Sequence, residues 1–185
     1  MALDIGCGSG AFSRLLAERS ERVLSLDLSP KMLDAARKQS SDQPNIEYHC
    51  ADAIAWDYPP DYYDCIVSIA TLHHMPARDI LMKMKGALKP GGVLLILDLI
   101  QDESLSDTLW QFAAVPANIL LRVIKYHRLS EPPELRRAWE EHGRDEQYLT
   151  LSQVRTICSD MLAGAKIRRH LLWRYSIIWK KEENC

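Results

Sequence analysis

Over the first hundred positions the apolar residues switch between two spacings. Short apolar runs at Ala2–Ile5, "RVLSLDLS" (Arg22–Ser29), "NIEYHC" (Asn45–Cys50), "YDCIVSIATL" (Tyr63–Leu72) and "VLLILDLI" (Val93–Ile100) predict five strands. Helical spacing at Phe12, Leu15 and Leu16 predicts a helix over Ala11–Arg19. A second helix is expected after Ser29, which caps it, with Pro30 at its first position. A third covers "RDILMKMKGAL" (Arg78–Leu88) and is stopped by "KPGG" (Lys89–Gly92). The run from Tyr63 to Leu72 is nearly continuous, as in a parallel strand buried on both faces. This β-α-β-α order predicts a parallel sheet wrapped by helices. Ligands of such sheets bind outside the carboxyl ends of the strands, near the switch point.

Past Gln101 the pattern changes. "SLSDTLWQFAAVPANILLRVIKYHRL" reads as amphipathic helix interrupted near Pro116, and "EPPELRRAWEEHGRDEQ" as a charged stretch with a helix starting near Pro133. Together they predict a helical insertion, about 101–148, within a single domain spanning 1–185, expected to cap the substrate. Trp110, Phe112, Ile119, Leu120 and Tyr126 offer either an apolar pocket wall or plain packing on the sheet. Arg122, Lys125, His127 and Arg128 face either an acidic substrate group or solvent. "TLSQVRTICSDML" is a helix capped by Thr150 or Ser152. "AKIRRHLL" and "WRYSIIWKK" are two strands joined as an antiparallel hairpin.

Composition narrows the function classes. The 185 residues suffice for one domain with a full core. A net charge of −2 argues against a protein whose main task is to hold nucleic acid. Cys7, Cys50, Cys65, Cys158 and Cys185 are scattered, with no pair at zinc spacing, which points to a reducing compartment and a cytoplasmic protein. No apolar run approaches the roughly 20 residues of a membrane-spanning helix.

The chemistry begins at "LDIGCGSG" (Leu3–Gly10), a strand that ends in Gly6, Gly8 and Gly10 and opens a helix. Glycines there leave the main chain bare for a ligand, and a helix amino terminus favours an anionic group. The spacing is one residue shorter than the dinucleotide fingerprint G-x-G-x-x-G, with Ala11 where its last glycine would stand. Asp4 precedes it. A pyrophosphate gains nothing from an adjacent aspartate, whereas a ligand with an ammonium group does.

This stretch resembles the first signature of class I S-adenosylmethionine-dependent methyltransferases, and the later signatures follow in order. Asp27, ending "LSLD", resembles the acid that holds the ribose diol, each charge-assisted bond contributing about 1.5–3 kcal/mol. "CADA" (Cys50–Ala53) resembles the adenine clamp, with Asp52 on the exocyclic amine, the Ala53 backbone facing the ring, and Leu28 and Met32 as apolar walls. For Asp52 the plainer role of a helix cap stays open. "YDCIVSIATLHHM", which includes Ala70, and "LKPGGVLLILD" are similar to the signatures of strands 4 and 5, and "KIRRHLLWRYSIIWKK" to the terminal hairpin. The resemblance implies a Rossmann-like three-layer α/β sandwich with a mostly parallel seven-stranded sheet and an antiparallel last strand. It implies S-adenosylmethionine as cofactor, with S-adenosylhomocysteine as product. The cofactor residues it implies are Asp4, Gly6, Cys7, Gly8, Gly10, Asp27, Leu28, Met32, Asp52, Ala53 and Ala70.

Methyl transfer is an in-line displacement in which proximity can supply about 7–11 kcal/mol. A base is needed only when the acceptor brings its proton into the reaction. His73 and His74, in "LHHM" past strand 4, are the candidate bases, with Asp98 near the end of strand 5 placed to orient one of them. The alternative is that one histidine caps the helix after Pro76 and the other packs. The [DN]-P-P-[YF] motif of base-amine methylation is absent after strand 4, where Ile69-Ala70-Thr71-Leu72 stands, and "DYPPDY" (Asp57–Tyr62) lies before that strand and reads as a turn. Asp98 is a lone acid at its edge, so no metal is expected. Lys166, Arg168, Arg169, Arg174, Lys180 and Lys181 could meet RNA, or protect edge strands from pairing. The expected function is therefore methyl transfer to a small molecule, at oxygen or carbon, by a monomer or homodimer. The competing expectations are a non-catalytic binder of cofactor or partner, and an RNA methyltransferase. The class places one or two helices before strand 1, whereas Met1 here adjoins that strand. A trimmed chain, an absent first segment and a naturally short protein all fit.

Overall fold

The computed structural model describes residues 1–101, 148–171 and 173–183. All but the first and last residues of the expected cap over 101–148 lie outside the described residues.

The described residues form seven strands: β1 (Ala2–Ile5), β2 (Val23–Asp27), β3 (Ile46–Cys50), β4 (Tyr63–Ile69), β5 (Leu88–Leu99), β6 (Lys166–His170) and β7 (Arg174–Lys180). Their order in the sheet is β3-β2-β1-β4-β5-β7-β6. The pairs from β3 through β5 are parallel, and β7 runs antiparallel to both β5 and β6. The α/β class and the reversed last strand thus match the sequence pattern. The chain winds outward from β1 in one direction and restarts at β4 in the other. The switch point therefore lies between β1 and β4, where a crevice opens at the carboxyl ends.

Among the described residues four α-helices cover the sheet: α1 (Ala11–Ala17), α2 (Pro30–Gln39), α3 (Ala77–Ala87) and α4 (Leu151–Met161). Ser29 accepts a hydrogen bond from the Met32 amide, and Pro30 opens α2 as its fixed φ favours. Thr150 and Gln153 form a reciprocal capping box on α4, which decides between the two sequence candidates. β1 is buried throughout, and Leu81 and Met84 of α3 with Val154 and Cys158 of α4 close the core over Ile66, Leu94, Ile96 and Ile177. Each such aliphatic side chain contributes about 1.5–3 kcal/mol on burial.

β5 corrects the sequence reading. It starts at Leu88, not Val93, and runs through Lys89–Gly92. The register shifts between Tyr63 and Cys65 opposite it, so the extra residues bulge out and rejoin the ladder. Gly91 takes φ 78°, and a Cβ at Gly92 would sit 2.8 Å from the Lys89 carbonyl oxygen, so the glycines permit the bulge.

Candidate active site

A cleft of about 1100 Å³ opens at the switch point. Its floor is the loop from β1 to α1. Gly6, Gly8 and Gly10 all have positive φ. A Cβ at Gly6 would overlap the Thr71 side chain, and one at Gly10 the Tyr48 hydroxyl. Gly8 differs: the nearest atom to its Cβ position is Met32 Cε at 3.8 Å, so its main chain faces the cleft. Gly6, Cys7 and Gly8 line the cleft, whereas Gly10 is buried beneath it and starts α1.

Asp27 ties this floor to the next wall. One carboxylate oxygen accepts the Gly8 amide and the other the Ser29 amide, each at 2.8 Å. Each oxygen keeps a lone pair for a ligand. Asp52 accepts the Ile54 amide at 2.8 Å, so it closes a turn and caps no helix. The Tyr58 hydroxyl donates to the Ala53 carbonyl at 2.8 Å and pins that turn from behind. Leu28 and Met32 are 70% and 44% exposed, apolar side chains left open at the cleft wall.

Asp4 is buried, and its carboxylate accepts the Ser13 hydroxyl at 2.7 Å. Burial pushes its carboxyl up to about 6 against the pull of that hydrogen bond, and the charge of Asp27 raises it further. Cys7 is pushed up to about 12 by burial and by the same two carboxylates, so its thiol stays neutral. Among the described residues the lining thus carries Asp4, Asp27 and Asp52 and no lysine or arginine. Such a wall suits a ligand with positive charge.

On the far side, Ala70 takes φ 53°, unusual for a residue with a side chain, and its amide donates to the Leu97 carbonyl. This turns the chain into the 3-10 turn Leu72–His74. Asp98 holds that turn twice: one oxygen accepts the His73 amide at 2.8 Å, and the other lies 2.6 Å from His73 Nδ1. The side chains of His73 and Asp98 are 5% and 1% exposed, and neither residue lines the cleft. His74 does line it, with its ring centroid 4.0 Å from that of His73. The Tyr148 ring packs on His73 at 5.0 Å. Pro76 stands at the N-cap of α3 and no side chain caps the helix, so neither histidine does.

The sequence named most of the residues that line the cleft; three others it named, Gly10, His73 and Asp98, stand behind the surface, with Asp98 bonded to His73. It missed Ser13, Thr71, Tyr58 and Tyr148. Ser13 carried a signal, being a small hydroxyl in the first turn of a helix that follows a buried acid. α1 buries Ser13 and turns Phe12 and Leu15 towards the cleft.

S-Adenosylmethionine fits what these residues offer. It carries a sulfonium and an ammonium for the acidic wall, a diol for the free lone pairs of Asp27, and an adenine ring for the open apolar side chains. Residues 3–96 match the methyltransferase domain family. The chain belongs to that family. It is an S-adenosylmethionine-dependent methyltransferase of the Rossmann-like α/β type. An uncharacterized methyltransferase of Mycobacterium tuberculosis is 30% identical over 180 residues, spanning 96% of this chain and 85% of that protein. A ubiquinone biosynthesis O-methyltransferase of Coxiella burnetii is 35% identical over 94 residues, 50% of this chain and 40% of its own length. Among solved structures, an S-adenosylmethionine-dependent methyltransferase of Mesorhizobium loti superposes with a TM-score of 0.66 at 21% identity, over 97% of this chain and 90% of that one. A phosphoethanolamine N-methyltransferase of Haemonchus contortus, in complex with S-adenosylhomocysteine, gives 0.64 at 21% identity, over 90% of this chain and 34% of that one. The methyltransferase has no helix, among its described residues, long and apolar enough to cross a membrane.

Proposed function

We propose that this methyltransferase acts on a small molecule, at oxygen or carbon, and that the cleft divides into a nucleoside half and an acceptor half. The observation that carries this is that His74 lines the same cleft as the glycine loop and Asp27, from the side facing them. Asp27 takes the ribose hydroxyls on its free lone pairs, and Asp52 with the Ala53 backbone takes the adenine between Leu28 and Met32. The amides of Gly6 to Gly8 and the Asp4 carboxylate hold the amino-acid end, and Ala70 closes over it. Gly10 acts from beneath, by turning the chain into α1.

When bound, the cofactor supplies an activated methyl group with its leaving group built in. The protein's remaining tasks are alignment and, for an acceptor that carries a proton, its removal. His74 is placed for that removal. Asp98 and His73 position it: Asp98 fixes the turn through the His73 amide and ring, and the His73 ring supports that of His74. The partial likeness to an O-methyltransferase and the absence of the base-amine motif after β4 support the acceptor class. The domain reading, one unit with its cap over 101–148, belongs to this proposal, as does a cytoplasmic setting, which the unpaired Cys7, Cys50, Cys65 and Cys158 support.

The test is a screen of phenols, carboxylic acids and activated carbon acids for S-adenosylhomocysteine release. With an acceptor that turns over, His74→Ala is expected to lower kcat about 100-fold. Wild-type turnover in both His74→Ala and His73→Ala would remove the base. Turnover confined to oligonucleotides would overturn the small-molecule reading.

A further inference from the structure

We propose that Arg174 recognises an anionic group on the methyl acceptor, so that the acceptor carries a carboxylate or phosphate. This rests on the small-molecule reading above.

Arg174 opens β7 and is part-buried. Its Nε is buried without a hydrogen-bond partner, and no ion pair to its guanidinium occurs among the described residues. Guanidinium groups withdrawn from water are ordinarily met by carboxylates or phosphates, whose geometry their planar fork matches. Edge protection does not account for this residue. The outer strand is β6, and β7 lies between it and β5.

The register places Arg174 with the cleft. Tyr175, Ile177 and Trp179 are buried towards the helices, so Arg174 stands on the opposite face. Its partner on β5 is Leu99, and Leu97 on that same face pairs with Ile69 of β4, which lines the cleft. Arg174 therefore lies on the cleft's face, at its end of the sheet, two strand spacings across and two residues along from Ile69, roughly 12 Å. A small molecule bridges that span.

Two further features agree. On the face of the sheet that carries Arg174, β6 adds the exposed Lys166 and Arg168 and no acidic residue, so the local field favours an anion. Trp173, just before Arg174, takes φ 55°, an outlier for a bulky residue, and its carbonyl accepts the Ile100 amide at 2.9 Å. That bond pins the start of β7 to the end of β5 and fixes where Arg174 emerges. The acidic nucleoside wall and this basic corner beyond the cleft's lining would then sort a cationic cofactor from an anionic acceptor that reaches out of the cleft.

The test titrates benzoate and benzyl alcohol, matched in size and different in charge, into wild type, Arg174→Met and Arg174→Lys, with and without S-adenosylhomocysteine. Wild type is expected to prefer benzoate at least tenfold, Arg174→Met to lose the preference, and Arg174→Lys to keep part of it. S-Adenosylhomocysteine affinity should stay within twofold throughout, and the melting temperature of Arg174→Met should equal or exceed that of wild type. Equal binding of the two probes by wild type, or a preference that survives Arg174→Met, would overturn the assignment. So would a melting temperature that falls in step with benzoate binding, which would make Arg174 a residue of the fold. A single-stranded RNA dodecamer that displaced benzoate and depended on Arg174 would replace the small anion with a polymer and overturn it too. Failure of wild type to bind S-adenosylhomocysteine would count against the proposed function instead, because the benzoate titration reads Arg174 with or without the nucleoside.

Discussion

The two halves proposed for the cleft are built from different material. The nucleoside half, at the ends of β1, β2 and β3, is mostly main chain: three positive-φ glycines, and Asp27 bonded to two loop amides. The acceptor half, at the ends of β4 and β5, presents His74, which is backed by side chains distant in sequence, His73 on Asp98 and Tyr148 on His73. A main-chain cradle fits a ligand that never changes, because its shape does not depend on side-chain identity. A side-chain assembly can be altered one residue at a time, which suits an acceptor that differs between related enzymes.

The largest effect should come from the floor. Gly6→Ala adds a Cβ to a position at φ 72° where Thr71 already stands. The strained backbone alone costs about 1–3 kcal/mol. S-Adenosylhomocysteine binding is expected to become undetectable by calorimetry. Binding within threefold of wild type would break the claim that the loop backbone is the cradle.

Next comes the acceptor half. Asp98→Ala leaves the His73 amide and ring without their buried partner, at about 1–3 kcal/mol for each lost bond. Turnover should fall about 100-fold while S-adenosylhomocysteine affinity changes less than threefold. Loss of both together would merge the two halves into one.

The same contrast explains what could be read from the chain. The succession of strands along the chain, the helix start at Ser29 and the glycine loop were legible, because each rests on short-range signals: an apolar run, a cap, a glycine triplet. The start of β5 was not, because Lys89–Gly92 reads locally as a stop and is drawn into the strand by a bulge opposite β4. Depth was also illegible. Asp98 was legible as a partner for one of the two histidines, but nothing near them in sequence says that it takes His73 and leaves His74 on the wall. Tyr48 beneath Gly10 and Arg174 on the cleft's face depend likewise on strand register.

A smaller effect sharpens the electrostatic side of the comparison. The Asp4 carboxyl is raised from 3.8 to about 6. Between those values the native state holds a proton that the unfolded chain has released, so the unliganded protein loses stability as pH rises from about 4 to 6. Asp4→Asn removes this penalty, so the unliganded variant should be more stable at pH 7, by about 3 kcal/mol at most. A cationic ligand needs Asp4 ionised, so wild-type affinity for S-adenosylhomocysteine should rise several-fold from pH 5 to 7. The variant should bind about threefold to tenfold more weakly at pH 7 and lose that rise. Melting curves and calorimetry at pH 5 and 7 read both effects, and a parallel rise in the variant would clear Asp4 of the role.

The central claim is that the halves are separable, and one titration tests it: S-adenosylhomocysteine into wild type, Asp27→Ala and His74→Ala at pH 7.5. The account predicts micromolar binding to wild type, a loss of at least tenfold in Asp27→Ala, and a change of less than twofold in His74→Ala. Equal losses in the two variants, or undiminished binding by Asp27→Ala, would contradict it.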